Sequence, residues 1–575
     1  MKKRKINYTK IIIFFVCLGI SIFGVSQLFS KVSPKMLTKT FDKYLANNNI
    51  TLDIYTLEEE KLVKKETLNR GTKIKTSNKV KTIENKEYME ITYNNNNYLV
   101  LKENVVEKEE SVVLEKEIYI RTATSVLDEN NKPISLVEKG SKVEVLSYDI
   151  LKKDGTVNKY KIKVNDIEGY VYGKYTVFDE ESSKKHYDQT TIDNVHSKIK
   201  NTYNGGDPTK LDYYPYEKGN FKDNVMPEHV YSLYMNAGSN VINNVDKYIE
   251  FAKDTNINAF VVDIKDNQTP AYPSKVMETY SPTNFSKAIN SYDNYKNAIT
   301  KLKEAGFYVI GRITTFKDSY YVQDHPEDSI KSISNSMPYY HTGAYWPSPY
   351  DRDVWYFNVE LAKEAVTEFG FNEINFDYVR FPDRMQKVES LVDMNNVYNE
   401  DKTQAIQRFV MYACDTLHEL NAYVSIDVFG ESTNDSYTTA YGQYWPAISN
   451  IADVMSGMPY PDHFSKGYYG LEKPWNSPYE LMLNWGKAAY DRQKETTTPA
   501  KVRTWIQAYD VLKYVDPNGI SYNAEALEKE IRGLYEAKVG DGYITWLSNS
   551  NLEKYKLQKD AFKIDYGKEY NNENN

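Results

Sequence analysis

Residues 370–382 read GFNEINFDYVRFP, and this stretch sets the expectation for the fold. Its alternation puts Ile374 and Phe376 on one face and Asp377 on the other, as in a strand whose two faces meet different surroundings. A helical pattern precedes the stretch, and Gly370 stands where helices commonly end in a left-handed residue. The stretch is therefore predicted to be a β-strand that follows a helix and ends in polar side chains.

Seven more apolar runs of this kind follow or precede it, and segments with helical spacing separate them. The eight runs are Val230–Asn236, Ala259–Asp266, Tyr308–Phe316, Glu373–Phe381, Tyr423–Gly430, Ala452–Tyr460, Arg503–Asp510 and Gly542–Asn549. The helical segments include Asn240–Thr255, Tyr295–Ala305, Val359–Phe369, Thr403–Asn421, Pro478–Arg492 and Ala524–Lys538. Gly306, Gly370 and Gly540 are expected to be left-handed residues at or just beyond helix ends.

Eight alternations of strand and helix predict an α/β fold in which residues 227–566 form a (β/α)₈ TIM barrel. The alternative is a doubly wound open sheet, but no glycine-rich phosphate loop follows the first strand. The chain of 575 residues is too long for one core, so further domains are expected. With 41% hydrophobic and 26% charged residues it should fold, and a net charge of -8 without a basic stripe excludes nucleic acid as a partner.

The N-terminus predicts a membrane anchor. Met1–Lys5 is basic, and the apolar run Ile11–Phe29 is long enough to span a bilayer as a helix. Because no small-residue cleavage signal follows directly, residues 1–32 are predicted to be an uncleaved signal anchor, with a removed signal peptide as the alternative. The expected location is the cell membrane, single-pass, with the later domains extracytoplasmic. The two cysteines, Cys17 and Cys414, exclude a disulfide framework or a cysteine-based metal site in the folded domains.

Short alternating runs with polar turns predict two small β domains at residues 33–112 and 113–180. The clearest runs of the second are Ile118–Thr122, Lys139–Leu146, Lys159–Val164 and Glu168–Tyr172. This set resembles the bacterial SH3 domains of cell-wall proteins, and the resemblance implies binding of peptidoglycan peptides or other wall polymers. The alternative is a spacer. The first set resembles a degenerate copy, in which Arg70–Ile74 matches the element that contains Gly140. Residues 181–226 are predicted to be a linker and residues 567–575 a polar tail.

In a TIM barrel the active residues lie at the C-terminal ends of the strands and on the loops that follow. Asp377 and Asp427 are expected to point inward from neighbouring strands, so that two carboxyl groups meet at one mouth. Glycoside hydrolysis needs one ionised and one protonated carboxyl group. The alternative is that Asp377 forms a buried ion pair with Arg312 or Arg380. The other strand-end side chains are predicted to bind substrate, and they are Asp263, Lys265, Arg312, Tyr378, Arg380, Tyr460, His463, Gln507 and Trp546.

Residues 230–547 also resemble a known family, the bacterial barrels named putative glycoside hydrolases, which are described as similar to the α-amylase superfamily and were long a domain of unknown function. The matching stretches are Asn258–Asp266, Val309–Asp318, Gly370–Pro382, Ser425–Gly430, Met458–Phe464 and Thr504–Tyr509. By analogy with related barrels, the resemblance implies a nucleophilic aspartate at the end of the fourth strand, which is Asp377. It places the general acid after the fifth strand, where Asp427 and Glu431 both stand.

Three functions remain open at this point. The first is a retaining glycosidase that acts on a cell-wall or extracellular polysaccharide, with its two carboxyl groups about 5 to 5.5 Å apart. The second is a non-catalytic scaffold that binds polysaccharide or peptidoglycan, in which Arg312, Arg380 and Lys265 neutralise the acids. The third, metal-dependent hydrolysis such as deacetylation, is disfavoured because the chain has seven histidines and only His463 stands at a strand end. No cofactor and no catalytic metal are expected.

Overall fold

The computed structural model describes residues 39–201, 204–434 and 440–567. The predicted anchor at residues 1–32 lies outside these ranges, as do residues 568–575 of the predicted tail. Within the described ranges, no helix has both the length and the apolar character that crossing a bilayer requires. The chain divides into two compact units. The first holds the described residues up to Lys116 together with Tyr148–Asn158, and the second holds Glu117–Ser147 and the rest.

Two antiparallel seven-stranded sheets precede the barrel, and they share one strand order, 3-2-6-5-4-1-7 by position in the chain. The strands of the first sheet are Phe41–Leu45, Thr51–Glu58, Lys61–Asn69, Lys73–Ile83, Lys86–Tyr93, Asn96–Leu101 and Val105–Val106. Those of the second are Glu117–Ile120, Thr124–Leu127, Pro133–Val137, Lys142–Tyr148, Lys159–Val164, Ile167–Tyr172 and Thr176–Val177. This all-β region fits the predicted SH3-like architecture.

The same glycine turn occurs in both sheets. Gly71 and Gly140 each have φ of 83°, the left-handed region in which a side chain would be strained. The amide of Gly71 donates to the carbonyl of Leu45 at 2.7 Å, and the amide of Gly140 donates to the carbonyl of Ile120 at 2.7 Å. The two sheets therefore share their strand order and also the hydrogen bonding of this glycine turn, which is the element in which their sequences match.

The C-terminal region is a near-closed parallel barrel, compatible with the predicted TIM barrel. All eight predicted strands are present, and they are Val230–Met235, Ala259–Asp266, Tyr308–Thr314, Glu373–Asp377, Tyr423–Phe429, Val454–Met458, the pair Lys501–Val502 and Thr504–Gln507, and Gly542–Trp546. The seventh strand is in two pieces, of which the first pairs with the sixth strand and the second with the eighth. The amide of Arg503, between them, donates to the carbonyl of Met455 at 2.9 Å.

Helices follow the strands around the barrel. The longer ones are Val245–Ala252, Tyr292–Glu304, Arg352–Phe369, Lys402–His418, Pro478–Lys494 and Ala524–Glu536, and the shorter ones are Ser239–Ile242, Lys275–Tyr280, Pro282–Ser286, Ser319–Asp324, Trp445–Ser449, Leu552–Leu557 and Lys559–Phe562. Gly306 (φ 89°) and Gly370 (φ 72°) are left-handed as predicted, whereas the left-handed residue after Ala524–Glu536 is Lys538 (φ 63°) and not Gly540. A Cβ on Gly540 would lie 2.7 Å from the ring of Tyr535, so this glycine permits close approach.

The segment predicted to be a linker contains the short helices Glu180–Lys184 and Gln189–Asn194 and packs against the barrel. Asp415, on the helix Lys402–His418, accepts hydrogen bonds from the hydroxyls of Tyr175 at 2.7 Å and of Tyr216. Tyr175 belongs to the second sheet and Tyr216 to the linker segment. Both therefore bind the same buried carboxyl group of the barrel.

A small lobe stands beside the barrel mouth, on the loops after the third and fourth strands. Lys331–Ser332 pairs with Val392–Asp393, and Tyr340–His341 pairs with Ala344–Tyr345. Buried apolar side chains hold it together, and they are Ile330, Ala344, Trp346, Met385 and Val392. We call residues 329–347 and 385–393 the mouth lobe.

Candidate active site

Arg312, on the third strand, is the centre of a buried charge cluster at the barrel mouth. Its guanidinium donates to Asp263 Oδ1 at 2.8 Å and to Asp266 Oδ1 at 3.3 Å. It also donates to Asp377 Oδ2 from Nε at 3.2 Å and from Nη2 at 2.6 Å. Burial lowers the pKa of Arg312, but the charges of Asp377, Asp263 and Asp266 outweigh it and leave the pKa well above its ordinary value. One cation thus holds three carboxyl groups from neighbouring strands.

The two acids of the second strand have different environments. Burial raises the pKa of Asp263 to about 6, although Arg312 acts in the opposite direction. The hydroxyl of Tyr234 donates to Asp263 Oδ2 at 2.5 Å. Burial would also raise the pKa of Asp266, but the charge of Arg312 and a hydrogen bond from Thr314 outweigh it and lower the pKa. Asp263 is therefore the more easily protonated of the two.

Asp377 ends the fourth strand, and the backbone turns sharply after it. Tyr378 has φ of 54°, a left-handed conformation that costs a residue with a side chain about 1–2 kcal/mol. This turn brings the amide of Tyr378 to Asp377 Oδ1 at 2.6 Å. The Tyr378 ring packs against Trp346 at 6.0 Å and lies under the ammonium of Lys317 at 4.9 Å. The strained turn therefore orients the carboxyl group whose other oxygen binds Arg312.

Asp427, on the fifth strand, is buried. Its Oδ1 accepts hydrogen bonds from Asn375 Nδ2 at 2.7 Å and from the indole of Trp505 at 2.8 Å. Burial, and next the negative charge of Asp377, raise its pKa well above the ordinary value. Oδ2 is buried and has no hydrogen-bond partner in the described part of the chain. Oδ1 accepts both hydrogen bonds, so a proton on this carboxyl group would be on Oδ2.

Asp377 and Asp427 lie side by side. The fourth and fifth strands are parallel, with Phe376 opposite Ile426, so the two aspartates take the next, inward-facing position on each strand. Neighbouring strands are about 4.8 Å apart. The two side chains therefore start from neighbouring strands on the same face of the sheet, and the charge of Asp377 is close enough to raise the pKa of Asp427.

An open cavity of about 440 Å³ lies over the ends of the fourth to sixth strands, and Glu431 and His463 line it together with Asp383 and Thr342. Burial, and next the charge of Asp383, raise the pKa of Glu431. Burial lowers the pKa of His463, with Asp462 opposing it. The described residues include two groups of acidic and histidine side chains close enough to share a cation, and neither contains His463 or any residue of the Arg312 cluster.

Aromatic rings form one wall of the cluster. Trp546 lies 4.7 Å from Tyr234 and 5.5 Å from Trp505, ring centre to ring centre, and its ring faces the guanidinium of Arg312 at 5.5 Å. Tyr460 stacks against Trp546 at 6.4 Å. Burial, and next the charge of Asp427, raise the pKa of the Tyr460 phenol, so it remains protonated.

One residue predicted to bind substrate, Lys265, lies away from the mouth. Lys265 is fully buried and pairs with Asp318 at 2.6 Å. The register with the third strand shifts between Asp263 and Lys265. This extra residue turns Lys265 outward, toward the ring of Phe357 on the helix Arg352–Phe369, at 5.4 Å. The prediction for Lys265 is therefore corrected.

Gln507 and Arg380 also serve local structure. The side-chain oxygen of Gln507 accepts from the amide of Asp462 at 3.2 Å, and its nitrogen donates to the carbonyl of Tyr509 at 3.2 Å. Arg380 donates to the carbonyl of Phe381 at 3.0 Å and stacks over Phe429 at 4.2 Å. Gln507 thus fixes the loops after the sixth and seventh strands. Of the two ion pairs that the alternative allowed for Asp377, the structure contains the one with Arg312 and not the one with Arg380.

The predicted list omitted Tyr234 and Asn375, which contact Asp263 and Asp427. Asn375 could have been found, since the alternation of the fourth strand already put it on the inner face. Tyr234 could not, because the chain has 52 tyrosines and no single one stands out.

Residues 230–552 match a protein family described as a putative glycosyl hydrolase domain. No curated protein matches the chain. Among solved structures, a hypothetical protein from Ruminiclostridium thermocellum is 30% identical over 34% of this chain and 97% of its own, with a TM-score of 0.29. The glycoside hydrolase domain of PgaB (BpsB) from Bordetella bronchiseptica is 14% identical over 59% of this chain and 100% of its own, with a TM-score of 0.42. The chitobiase of Flavobacterium johnsoniae is 9% identical over 59% and 52%, with a TM-score of 0.34.

Proposed function

Since the chain belongs to the family of putative glycosyl hydrolase domains, we propose that its barrel is a retaining glycosidase that cleaves a cell-wall or extracellular polysaccharide. One observation carries the proposal. Two carboxyl groups stand side by side at the barrel mouth in opposite environments, Asp377 in an ion pair with Arg312 and Asp427 buried with a raised pKa. Paired carboxyl groups with separated roles are what glycoside hydrolysis requires.

In the first step, Asp377 Oδ1 or Oδ2 attacks the anomeric carbon, and the glycosidic C–O bond breaks as Asp427 Oδ2 gives its proton to the leaving oxygen. In the second step, Asp427, now ionised, takes a proton from water, whose oxygen attacks the anomeric carbon and releases Asp377. Trp505 and Asn375 hold Asp427 Oδ1 throughout, and they stabilise the charge that forms on Asp427.

Glu431 is the second candidate for the general acid. It already lines the open cavity, and burial raises its pKa as well. Asp427, at 1% exposure, needs some movement of its neighbours before a sugar reaches Oδ2. Catalytic contacts often tighten only when substrate binds, so this burial does not exclude Asp427.

The substrate and location rest on the N-terminal half. The basic tip and apolar run of residues 1–29 support an anchor in the cell membrane with the barrel outside the cytoplasm. The two SH3-like sheets support a site of action at the cell wall, where they would bind peptidoglycan. An extracytoplasmic glycan is the substrate that fits both.

The test is hydrolysis of a panel of purified wall and surface polysaccharides by the full-length protein, with reducing-end release as the readout. We expect cleavage of one glycan, loss of cleavage in Asp377→Asn with binding retained, and a first-formed product with the anomeric configuration of the substrate by NMR. An inverted product would reject the retaining step, and binding without cleavage in every variant would reject the glycosidase.

A non-catalytic polysaccharide-binding scaffold is the alternative. The ion pairs of Arg312 with Asp377 and of Lys265 with Asp318 favour it, because both neutralise an acid. Asp427 opposes it. No cation bonds to Asp427 among the described side chains, and a buried carboxyl group without a role in chemistry is a cost to the fold.

A further inference from the structure

A tight hairpin in the mouth lobe presents two tyrosines on one face. Tyr340 pairs with Tyr345, and His341 pairs with Ala344. The turn residues 342–343 both have positive φ, 45° and 82°, the geometry that suits a two-residue hairpin. Side chains of successive pairs alternate between the two faces. The two tyrosines therefore share one face, and His341 and Ala344 share the other.

The inner face of this hairpin is fixed to the protein. His341 Nε2 lies 2.6 Å from the carbonyl oxygen of Asp383, and Ala344 is 1% exposed. The indole of Trp346 donates to the carbonyl of His341 at 2.9 Å. The amide of Tyr345 donates to Ser319 Oγ at 3.0 Å. The hairpin is thus held from the loops after both the third and the fourth strands.

The outer face leaves two aromatic rings in solvent. Tyr340 is 61% exposed and Tyr345 is 39% exposed. Their ring centres are 5.2 Å apart with an angle of 73° between the rings. Edge-to-face contact between the two rings stabilises the hairpin. This contact explains why the two rings pair with each other but not why both are exposed to solvent. Exposed apolar patches beside a cleft commonly mark binding surfaces.

This face is close to the open cavity over the ends of the fourth to sixth strands. Thr342, in the turn, lines that cavity together with Glu431 and His463. Successive Cα atoms are about 3.8 Å apart, so the Cα atoms of Tyr340 and Tyr345 lie within about 8 and 11 Å of Thr342. The two tyrosines therefore flank a turn that forms part of the cavity wall.

We propose that the Tyr340–Tyr345 face is a sugar-binding subsite outside the cavity, which holds the polysaccharide chain beyond the residues that the cavity encloses. The apolar face of a pyranose packs on an aromatic ring, and the two phenol hydroxyls can bond its hydroxyl groups. The inference rests on the proposed glycosidase function and adds the substrate class, a glycan chain longer than the 440 Å³ cavity contains. Glycan length, not charge, is then what this face recognises.

The test measures kcat and KM of the full-length protein on a length series of the glycan that it cuts. For Tyr340→Ala/Tyr345→Ala we expect kcat/KM on long chains to fall about 10- to 100-fold, mostly through KM, and to remain unchanged on the shortest chain that is cut. Tyr340→Phe/Tyr345→Phe keeps both rings and should retain most of the affinity. Tyr187→Ala removes a ring that is 51% exposed elsewhere and should change nothing.

Two further measurements separate the possible failures. Equal kcat/KM of the double alanine variant and the wild type at every length overturns the subsite and leaves the glycosidase standing. If the wild type cuts no glycan, binding to the same panel is measured by affinity electrophoresis. Weaker binding by the double alanine variant then supports the subsite and rejects the glycosidase, whereas unchanged binding, or none by the wild type, rejects both. Thermal unfolding of each variant excludes loss of the hairpin fold as the cause.

Discussion

The second strand contributes side chains to two buried groups of charged residues, and the two groups lie on opposite faces of the barrel sheet. The Arg312 cluster points into the barrel, where the side chain of Asp266 is 37% exposed and Asp427 Oδ2 has no partner among the described residues. The pair of Lys265 and Asp318 lies on the outer face of the barrel sheet, with side chains 0% and 1% exposed. Both groups pair a buried cation with aspartate, arginine in the first and lysine in the second. The face of the sheet therefore decides whether a charged side chain can reach solvent and substrate or contacts only other buried side chains.

The sharpest test of this comparison is Asp377→Asn. The amide keeps the shape of the side chain but cannot attack the anomeric carbon, so we expect kcat to fall about 10⁴-fold, or about 5.5 kcal/mol. Thermal unfolding should change little, since Arg312 keeps Asp263 and Asp266 as partners. Reducing-end release and differential scanning calorimetry measure the two effects. Asp254→Asn is the control, at a side chain that is 79% exposed.

If Asp377→Asn instead unfolds the protein and the folded fraction retains its activity, the Arg312 cluster is structural, like the pair outside the barrel. The Arg312 cluster and the pair of Lys265 and Asp318 would then differ in position but not in role.

Lys265→Met should have the converse effect. It leaves the Asp318 carboxyl group buried without its cation, and breaking a buried pair in this way costs about 3–5 kcal/mol of unfolding free energy. Activity per folded molecule should be unchanged. Urea unfolding measures the loss. Lys301→Met, in an exposed pair with Asp246, should cost less than about 1 kcal/mol. A loss of activity greater than the loss of folded protein would place Lys265 in the site after all.

Asp427→Asn should reduce kcat about 10³-fold on the natural glycan, or about 4 kcal/mol. It should spare substrates whose leaving group needs no proton. The wild type needs a protonated acid, so its activity should fall as pH rises through the raised pKa of Asp427, and this limb should be absent from the variant. A pH–rate profile measures it. If Glu431→Gln shows this pattern and Asp427→Asn does not, the general acid is Glu431.

Much of the fold could be predicted from the sequence, because hydrophobic alternation and helix ends are local signals. All eight barrel strands overlap the apolar runs that recur along the sequence, and Gly370 follows from the helix before it. Gly540 was misjudged, since a glycine that permits close approach to Tyr535 looks the same in the sequence as one that needs positive φ.

The site was predictable only where the strands are regular. Alternation put Asp377 and Asp427 on the inner face, and they lie there. It failed at Lys265, because a single extra residue before it reverses every later side chain, and nothing in the sequence marks that bulge. Tyr340 and Tyr345 depend on the pairing of a short hairpin and on its exposure, both of which are tertiary properties.

The smallest expected effect is a difference between Asp263 and Asp266 in how each makes the free energy of unfolding depend on pH. Burial raises the pKa of Asp263 from 3.8 to about 6, so the folded protein binds more protons than the unfolded chain between these values. The free energy of unfolding should therefore fall as pH rises from 4 to 6, by up to about 3 kcal/mol, and this contribution should be absent from Asp263→Asn.

Asp266 should have the opposite sign, because Arg312 and Thr314 lower its pKa. Its stabilising contribution is present above the pKa of an unfolded aspartate and is lost as pH falls. Urea unfolding of the wild type, Asp263→Asn and Asp266→Asn from pH 2 to 7 covers both windows, since the Asp266 contribution is lost below the pKa of an unfolded aspartate, 3.8. Differences between wild type and variant at each pH cancel the other titrating groups. Equal signs would mean that Arg312 does not distinguish the two carboxyl groups. Opposite signs would show that Arg312 keeps Asp266 ionised while burial raises the pKa of Asp263. The proposal assigns the same two roles, one ionised and one readily protonated carboxyl group, to Asp377 and Asp427.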